Sequence, residues 1–186
     1  MKNFSFILKN DRELSREEKI QMHNLLVKTY PKPSFVRLYN KHGYYSTVKP
    51  QMNFLIKKEG LLVGTGKFLW RNIKIKNETI KLFVFGMVVA KEYQNRGLGT
   101  NIVKLSIENA KKRKANALFA STSQSKVKKM LSGLGFKEIK TPIFYKDATI
   151  KRIKKSTNSV YIFEFKKGLM EKINSLPKIY IGLGPI

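Results

Sequence analysis

One stretch of this sequence restricts the possible folds more than any other. Residues 80–90 are apolar apart from Lys81 and Gly86, a polar loop follows at 91–96, and Gly97-Leu98-Gly99-Thr100 opens an amphipathic segment reaching about Lys114. Such continuous apolarity marks a strand buried on both faces, so the rest of the chain must cover both sides of a sheet. In the segment that follows, Ile102, Val103, Leu105, Ser106, Ile107 and Ala110 form the inner face of a helix.

At the start of a helix the first backbone N–H groups have no intrahelical acceptor, and the dipole adds partial positive charge. Gly97 and Gly99 bring no side chains, so a phosphate can approach that bare backbone. The pattern is a pyrophosphate cradle, but neither of two familiar kinds. A Rossmann fingerprint needs a third glycine where Ile102 stands. The Gly66-Lys67 pair fails as a phosphate loop, because Leu61 precedes it where Gly is needed and Phe68 follows it. Gly86, inside the strand, predicts a bulge or the close approach of another backbone or a ligand.

Around this unit the chain punctuates itself. Residues 4–8 read as a first strand. Ser15 and Glu18 form a capping box opening a helix whose apolar face is Ile20, Leu25 and Leu26, and which should stop before Pro31. The segment 35–48 is irregular and rich in aromatics. Strands are expected at 52–56 and 61–70, joined by a hairpin at Lys58-Glu59-Gly60, with a turn near Asn77 before the 80–90 strand. A buried strand at 117–120 follows the long helix, then a short helix over 126–131 ending at Gly133, and strands near 143–145 and 160–165. This order describes an α/β (α+β) protein: a mixed, mostly antiparallel sheet of about six or seven strands with helices on both faces. Residues 166–186 show no legible pattern and are expected to be a C-terminal extension.

Charge narrows the partners. With 38 Lys and Arg against 12 Asp and Glu, the formal charge is +26, spread along the chain with runs at 111–114, 126–129 and 151–155. A surface this basic attracts nucleic acid or other polyanions in a salt-dependent way. It argues against a polycationic substrate such as an aminoglycoside or a polyamine. Against a dedicated nucleic-acid surface stands the ratio of 31 Lys to 7 Arg, since Arg is the residue that reads phosphates and guanine edges bidentately. An AT-rich genome produces the same excess of Lys, and the run at 111–114 complements the dipole of the helix it ends.

The chain contains no Cys, which removes disulfides, thiolate zinc sites, iron–sulfur clusters and a Cys nucleophile. No metal site is legible. The longest apolar run is about half of a membrane span, and the apolar stretch at 4–8 is too short, and too soon charged, for a secretory signal. The expectation is a cytoplasmic protein without membrane contact, monomeric or homodimeric.

Gln94-Asn95-Arg96-Gly97-Leu98-Gly99 fits the Q/R-x-x-G-x-G/A loop of the GNAT family of acetyl-CoA-dependent N-acetyltransferases, which this sequence resembles from about residue 3 to 165. The lead-in Met87-Val88-Val89 and Glu92-Tyr93 also fits, although Lys91 stands where Pro is common. Residues 59–64 look like the family's central hairpin, and Leu134-Gly135-Phe136 looks like the Gly-Phe that closes its last helix. The resemblance implies a GNAT-like domain over 1–165 that takes acetyl-CoA as acyl donor and needs no metal. It implies that the backbone of Met87, Val88 and Val89 bonds the pantetheine arm, and that the loop from Gln94 through Asn95, Arg96, Gly97, Leu98 and Gly99 to Thr100 holds the pyrophosphate. Gln124 stands where many relatives place an Asn and can still reach the arm. Leu131 stands where many have a Tyr, and it cannot protonate a leaving thiolate, a role typically worth about 10²–10⁴-fold.

Without Cys no acyl-thiol intermediate can form on the chain, so the acetyl group should pass directly to an amine while both substrates are bound. The attacking amine must be neutral: a Lys side chain with a reference pKa of about 10.4 needs a base, whereas an α-amine at about 7.7–8.0 barely does. Candidate acids or bases are Tyr145 and Glu164 on late strands and His42 in the irregular segment. Each has an ordinary alternative: packing for Tyr145, a solvated strand position for Glu164 and a loop position for His42. His23 reads as helix surface. Two functions remain open: an N-acetyltransferase for a primary amine, carried on an acidic or nucleic-acid-linked acceptor, or a GNAT-like module that has lost turnover and binds nucleic acid or another anionic partner.

Overall fold

Apolar alternation and turn chemistry resolve into ten strands and four helices among the residues that the computed structural model describes: 4–29, 48, 50–147 and 150–184. The strands are β1 (Phe4–Asn10), β2 (Met52–Lys58), β3 (Leu61–Ile75), β4 (Glu78–Val89), β5 (Ala117–Thr122), β6 (Lys137–Ile139), β7 (Ile143–Lys146), β8 (Ile153–Lys155), β9 (Ser159–Glu164) and β10 (Ile179–Leu183). The helices are α1 (Arg16–Thr29), α2 (Leu98–Lys112), α3 (Ser125–Gly133) and α4 (Leu169–Asn174). Seven strands form one sheet in the order β1-β2-β3-β4-β5-β9-β6, and three form a second in the order β10-β7-β8. In the larger sheet β4 and β5 pair in parallel, while β1–β2, β2–β3, β5–β9 and β6–β9 pair antiparallel. This is the mixed, mostly antiparallel sheet that the order of elements implied.

The chain divides into two compact units, Met1–Leu69 with Met87–Ile102 and Trp70–Gly86 with Val103–Ile186. In the first unit the Ser15–Glu18 capping box forms as expected. The Glu18 N–H donates to Ser15 Oγ at 3.1 Å, and the Ser15 N–H donates to Glu18 Oε2 at 3.0 Å. The box fixes the start of α1, and Glu18, Met22, Leu25, Leu26 and Thr29 are buried. That stripe corrects one expectation: Ile20 is 40% exposed, and Met22 takes the place assigned to it. Leu14, Met22, Leu25 and Leu26 pack with Leu55, Leu62, Val88 and Ala90. The β2–β3 hairpin turns at Glu59 (φ +51) and Gly60 (φ +82), the two left-handed residues of a tight two-residue turn. A register shift follows, from Ile56↔Gly64 to Lys57↔Leu62, leaving Val63 as the extra residue.

In the second unit β5 lies buried between β4 and β9, and the β4–β5 ladder runs from Leu82↔Ala117 to Val84↔Phe119. The ladder stops two residues before Gly86, although β4 continues to Val89 and β5 to Thr122. Helix α3 ends in a full Schellman motif: the Phe136 N–H donates to Leu131 O and the Gly135 N–H to Ser132 O, both at 3.0 Å, with Gly135 at φ +88. Phe136 is thereby turned inward against Phe85 and Phe163. Residues 166–184, where the sequence showed no pattern, form α4 and β10. Arg71 of β3 holds β10, donating from Nη1 to the carbonyls of Ile181 (2.8 Å) and Leu183 (2.7 Å).

Two predictions come from these anchors. Arg71→Met removes the charge-assisted bonds to the carbonyls of Ile181, Leu183 and Gly184 and should lower stability by about 3 kcal/mol in urea denaturation; an unchanged midpoint would mean that β10 is held otherwise. For Glu18, burial raises the carboxyl pKa, but bonds from Lys9 Nζ, the Ser15 N–H and Lys57 Nζ outweigh burial and take it down to about 2. A carboxyl depressed on folding stabilises above its unfolded pKa, and that contribution is lost as pH falls from about 4.5 toward 2. Glu18→Gln should therefore cost about 3 kcal/mol at neutral pH and flatten the acid limb of the stability curve.

Candidate functional site

Within the first unit, residues 87–101 carry a buried strand end into a helix start. Val88 and Ala90 are buried, and the Ala90 N–H donates to Val63 O at 2.9 Å, tying the exit of β4 to the extra residue of β3. A single 3-10 turn, Lys91–Tyr93, reverses the chain, with the Tyr93 N–H on Ala90 O at 2.9 Å. The Tyr93 ring meets Phe4 edge-on at 6.1 Å, and the Arg96 guanidinium lies over it at 5.3 Å. Glu92 bonds Lys28 of α1 at 2.6 Å, and that bond holds its carboxyl below the usual carboxylate range.

Gln94 then reaches back: its Nε2 donates to Val89 O at 2.9 Å, bridging the end of β4 and the loop. Asn95 (φ +60) and Gly97 (φ +76) both adopt left-handed conformations, which Asn tolerates and Gly prefers. A Cβ built on Gly97 meets nothing within 4 Å, so the space before it is open. Residues 94–97 are exposed, whereas Leu98 is buried and fixes the first turn of α2. The bond from the Asn101 N–H to Gly97 O, at 3.0 Å, opens the ladder of the helix. The N–H groups of Leu98, Gly99 and Thr100 precede it, and no acidic residue lies in that turn to compensate the dipole. An open, positively biased row of amide donors suits a diphosphate group.

The sequence-predicted residues fall out unevenly. Met87, Val88, Val89, Gln94, Asn95, Arg96, Gly97, Leu98, Gly99 and Thr100 form one continuous stretch of the first unit. Gln124 belongs to the second unit, at the N-cap of α3, where its N–H bonds Thr122 Oγ1 at 3.0 Å. Tyr145 is half-buried on β7, opposite Lys154 of β8. Glu164 ends β9, and its two oxygens accept from the N–H groups of Gly168 (3.2 Å) and Met170 (2.5 Å), so it caps α4. His42 lies outside the described residues. Leu131 is buried, with its side chain in the interior. Sequence reasoning missed two braces of the loop, Lys28 and Val63, and the contacts of Tyr93 with Phe4 and Arg96. These contacts, except that with Arg96, join distant segments, and nothing in the local pattern announces them.

Residues 19–136, more than half of the chain, match the Acetyltransferase (GNAT) family. The chain belongs to the GNAT acetyltransferase family. No curated protein sequence matches it. Among solved structures, the GNAT-family acetyltransferase from Streptococcus pneumoniae is similar to it with a TM-score of 0.56 and 15% identity, over 87% of this chain and 100% of that one. A ribosomal-protein-alanine N-acetyltransferase from Brucella melitensis gives 0.53 and 12%, over 86% and 99%. A GCN5-related N-acetyltransferase from Kribbella flavida gives 0.55 and 10%, over 74% of this chain but only 34% of its own length. At these identities the likeness is one of fold.

GNAT membership implies acetyl-CoA as the acyl donor, and the loop at 94–100 fits its diphosphate: exposed backbone, open space before Gly97 and no competing carboxylate in the first turn of α2. Among the described residues no helix is long and apolar enough to cross a membrane. Gln94→Ala should release the loop from Val89 and weaken acetyl-CoA binding by about fivefold, with the melting temperature of the free protein nearly unchanged. Isothermal titration checks it, and unaltered affinity would show that the carboxamide bridge does not preorganise the loop.

Proposed function

We propose that this protein transfers the acetyl group of acetyl-CoA directly to a primary amine. In this reading, N–H groups from Asn95 to Thr100 hold the diphosphate and the backbone of Met87, Val88 and Val89 lines the pantetheine arm. The observation that carries the reading is the first turn of α2, whose amide donors have no intrahelical acceptor: an open left-handed glycine stands before them and no acid among them. Bound acetyl-CoA supplies an activated thioester carbonyl. The chain has to hold it, exclude water and keep the amine neutral.

An α-amine suits this chain better than a Lys side chain, because its reference pKa of about 7.7–8.0 leaves much of it neutral near physiological pH. Tyr145, Glu164 and His42 are the candidates for proton transfer in this reading, and Glu164 is already engaged as the cap of α4. One structural relative is named a ribosomal-protein-alanine N-acetyltransferase, and the amine of alanine is an α-amine. A charge of +26 favours an amine carried on an acidic protein or a nucleic acid. One observation favours the second reading, a module that binds without turnover: Leu131, buried and apolar, provides no hydroxyl for the departing thiolate.

Thermal unfolding with acetyl-CoA, ATP or adenosine 3′,5′-bisphosphate at two salt concentrations tests the donor site. A ligand at about 100 times its dissociation constant adds about 2.7 kcal/mol, or roughly 5–10 °C for a chain of this size. Acetyl-CoA alone should give a shift that survives high salt, and Gly97→Glu should abolish it while the free protein still unfolds cooperatively. Equal, salt-erased shifts with all three ligands would overturn the donor site. Release of free thiol on adding amine acceptors then separates the enzyme from the silent module.

A further inference from the structure

The second sheet presents a face that the acetyl-transfer reading does not use. Across its strands Phe144 pairs with Tyr180 on one side and Lys155 on the other, and Lys146 pairs with Leu183 and Ile153. Residues opposite one another share a face and successive residues alternate. Phe144, Tyr180 and Lys155 therefore make one row, and Lys146, Leu183 and Ile153 make the next row on the same side. A one-residue irregularity between Tyr180 and Leu183, with Gly182 at φ +85, returns Leu183 to the side of Tyr180. The opposite side carries Ile143, Ile179 and Ile181, all buried. On the outward side Tyr180 is 47% exposed, Leu183 45% and Ile153 65%, and Phe144 between them is half-buried.

Charge on and around this face has one sign. Between residues 140 and 155 the chain has Lys140, Lys146, Lys151, Arg152, Lys154 and Lys155, and Asp147 is the one acid. Lys154 takes that acid, with Nζ 2.9 Å from Asp147 Oδ2. Two neighbouring aromatic rings bordered by lysines form a stacking platform with a cationic margin. Bases stack on such rings whatever their identity, and phosphates meet the lysines. An acidic peptide would satisfy the lysines but leave the ring faces uncovered. An anionic membrane calls for a broader aliphatic surface than Leu183 and Ile153 offer.

We propose that this face binds single-stranded nucleic acid, with bases stacked on Tyr180 and Phe144 and the backbone running along Lys146 and Lys155. The proposal is independent of acetyl transfer, and binding is measured without acetyl-CoA, so failure here leaves the donor site untouched.

The test is fluorescence anisotropy of the full chain with labelled mixed-sequence 12-nucleotide RNA and DNA strands. Comparisons are the matching duplex, heparin, and phosphatidylserine vesicles. Tyr180→Leu keeps an apolar residue on β10 and removes the ring; it should weaken binding of the strands about tenfold, whereas Tyr180→Phe should retain it. Lys146→Ala with Lys155→Ala should reduce the salt slope of single-strand binding by about 1.4. RNA and DNA binding alike support the proposal, and preference for one names the natural strand. Thermal midpoints of the variants verify that β10 stays docked; if Tyr180→Leu unfolds, Phe144→Leu and the lysine pair carry the same comparison. Heparin or duplex bound as tightly as the single strands, vesicles bound in their place, or full affinity after loss of the ring would each overturn it.

Discussion

Backbone donors that no helix can satisfy internally govern the first unit. The opening N–H groups of α2 need a partner from outside, and they are useful to an anion only where they are held still and left uncovered. Both conditions are met by the exit of β4. The Ala90 N–H is fixed to Val63 O, Gln94 is bonded back to Val89 O, and Leu98 is buried beneath the turn. Between these anchors Asn95 and Gly97 bend the chain through left-handed conformations, and the space before Gly97, which carries no Cβ, is open. The buried strand holds the turn in place, and the turn aims the amides.

Electrostatics reinforce the same region and distinguish it from the general positive charge. Glu92 is the one acid between residues 79 and 107, and Lys28 bonds it, so the dipole of α2 faces no competing anion in its first turn. Elsewhere the few acids act as structural joints. Glu18 joins Lys9, Lys57 and the start of α1, Glu78 joins Lys166 and Lys172, and Glu164 caps α4. A chain with 12 acids and 38 bases uses its carboxylates as scarce connectors, and the surplus lysines are left to solvent or to anionic partners.

Strand β10 is held in the second unit by parallel pairing with β7 and by the Arg71 guanidinium on the carbonyls of Ile181, Leu183 and Gly184. Burying three isoleucines on one side of that small sheet obliges the alternate residues Phe144 and Tyr180 to face outward, and the irregularity at Gly182 adds Leu183 to that side. An outward aromatic row is thus a consequence of how the inner side is satisfied, and the lysines of 146–155 give it its charge.

Local chemistry was legible in the sequence. The Ser15–Glu18 box, the Glu59-Gly60 turn, the glycine loop before α2 and the closure of α3 at Gly135-Phe136 each depend on hydrogen bonds within a few residues, so residue types at fixed spacings suffice to specify them. The continuous apolarity of β4 and β5 likewise announced a buried sheet centre. What tertiary structure alone decided has the opposite character. The strands β6 and β8 are three residues long and too short to show a period, and β10 is recognisable only against β7. Ile20 is exposed and Met22 buried because the covered face of α1 is the one packed on Leu55, Leu62, Val88 and Ala90, residues distant in sequence. Glu164 looked like a solvated carboxylate until α4 folded onto it, and Lys28 found Glu92 across 64 residues. A side chain's partner at such separations is fixed by where packing delivers the backbone, and no local pattern encodes that.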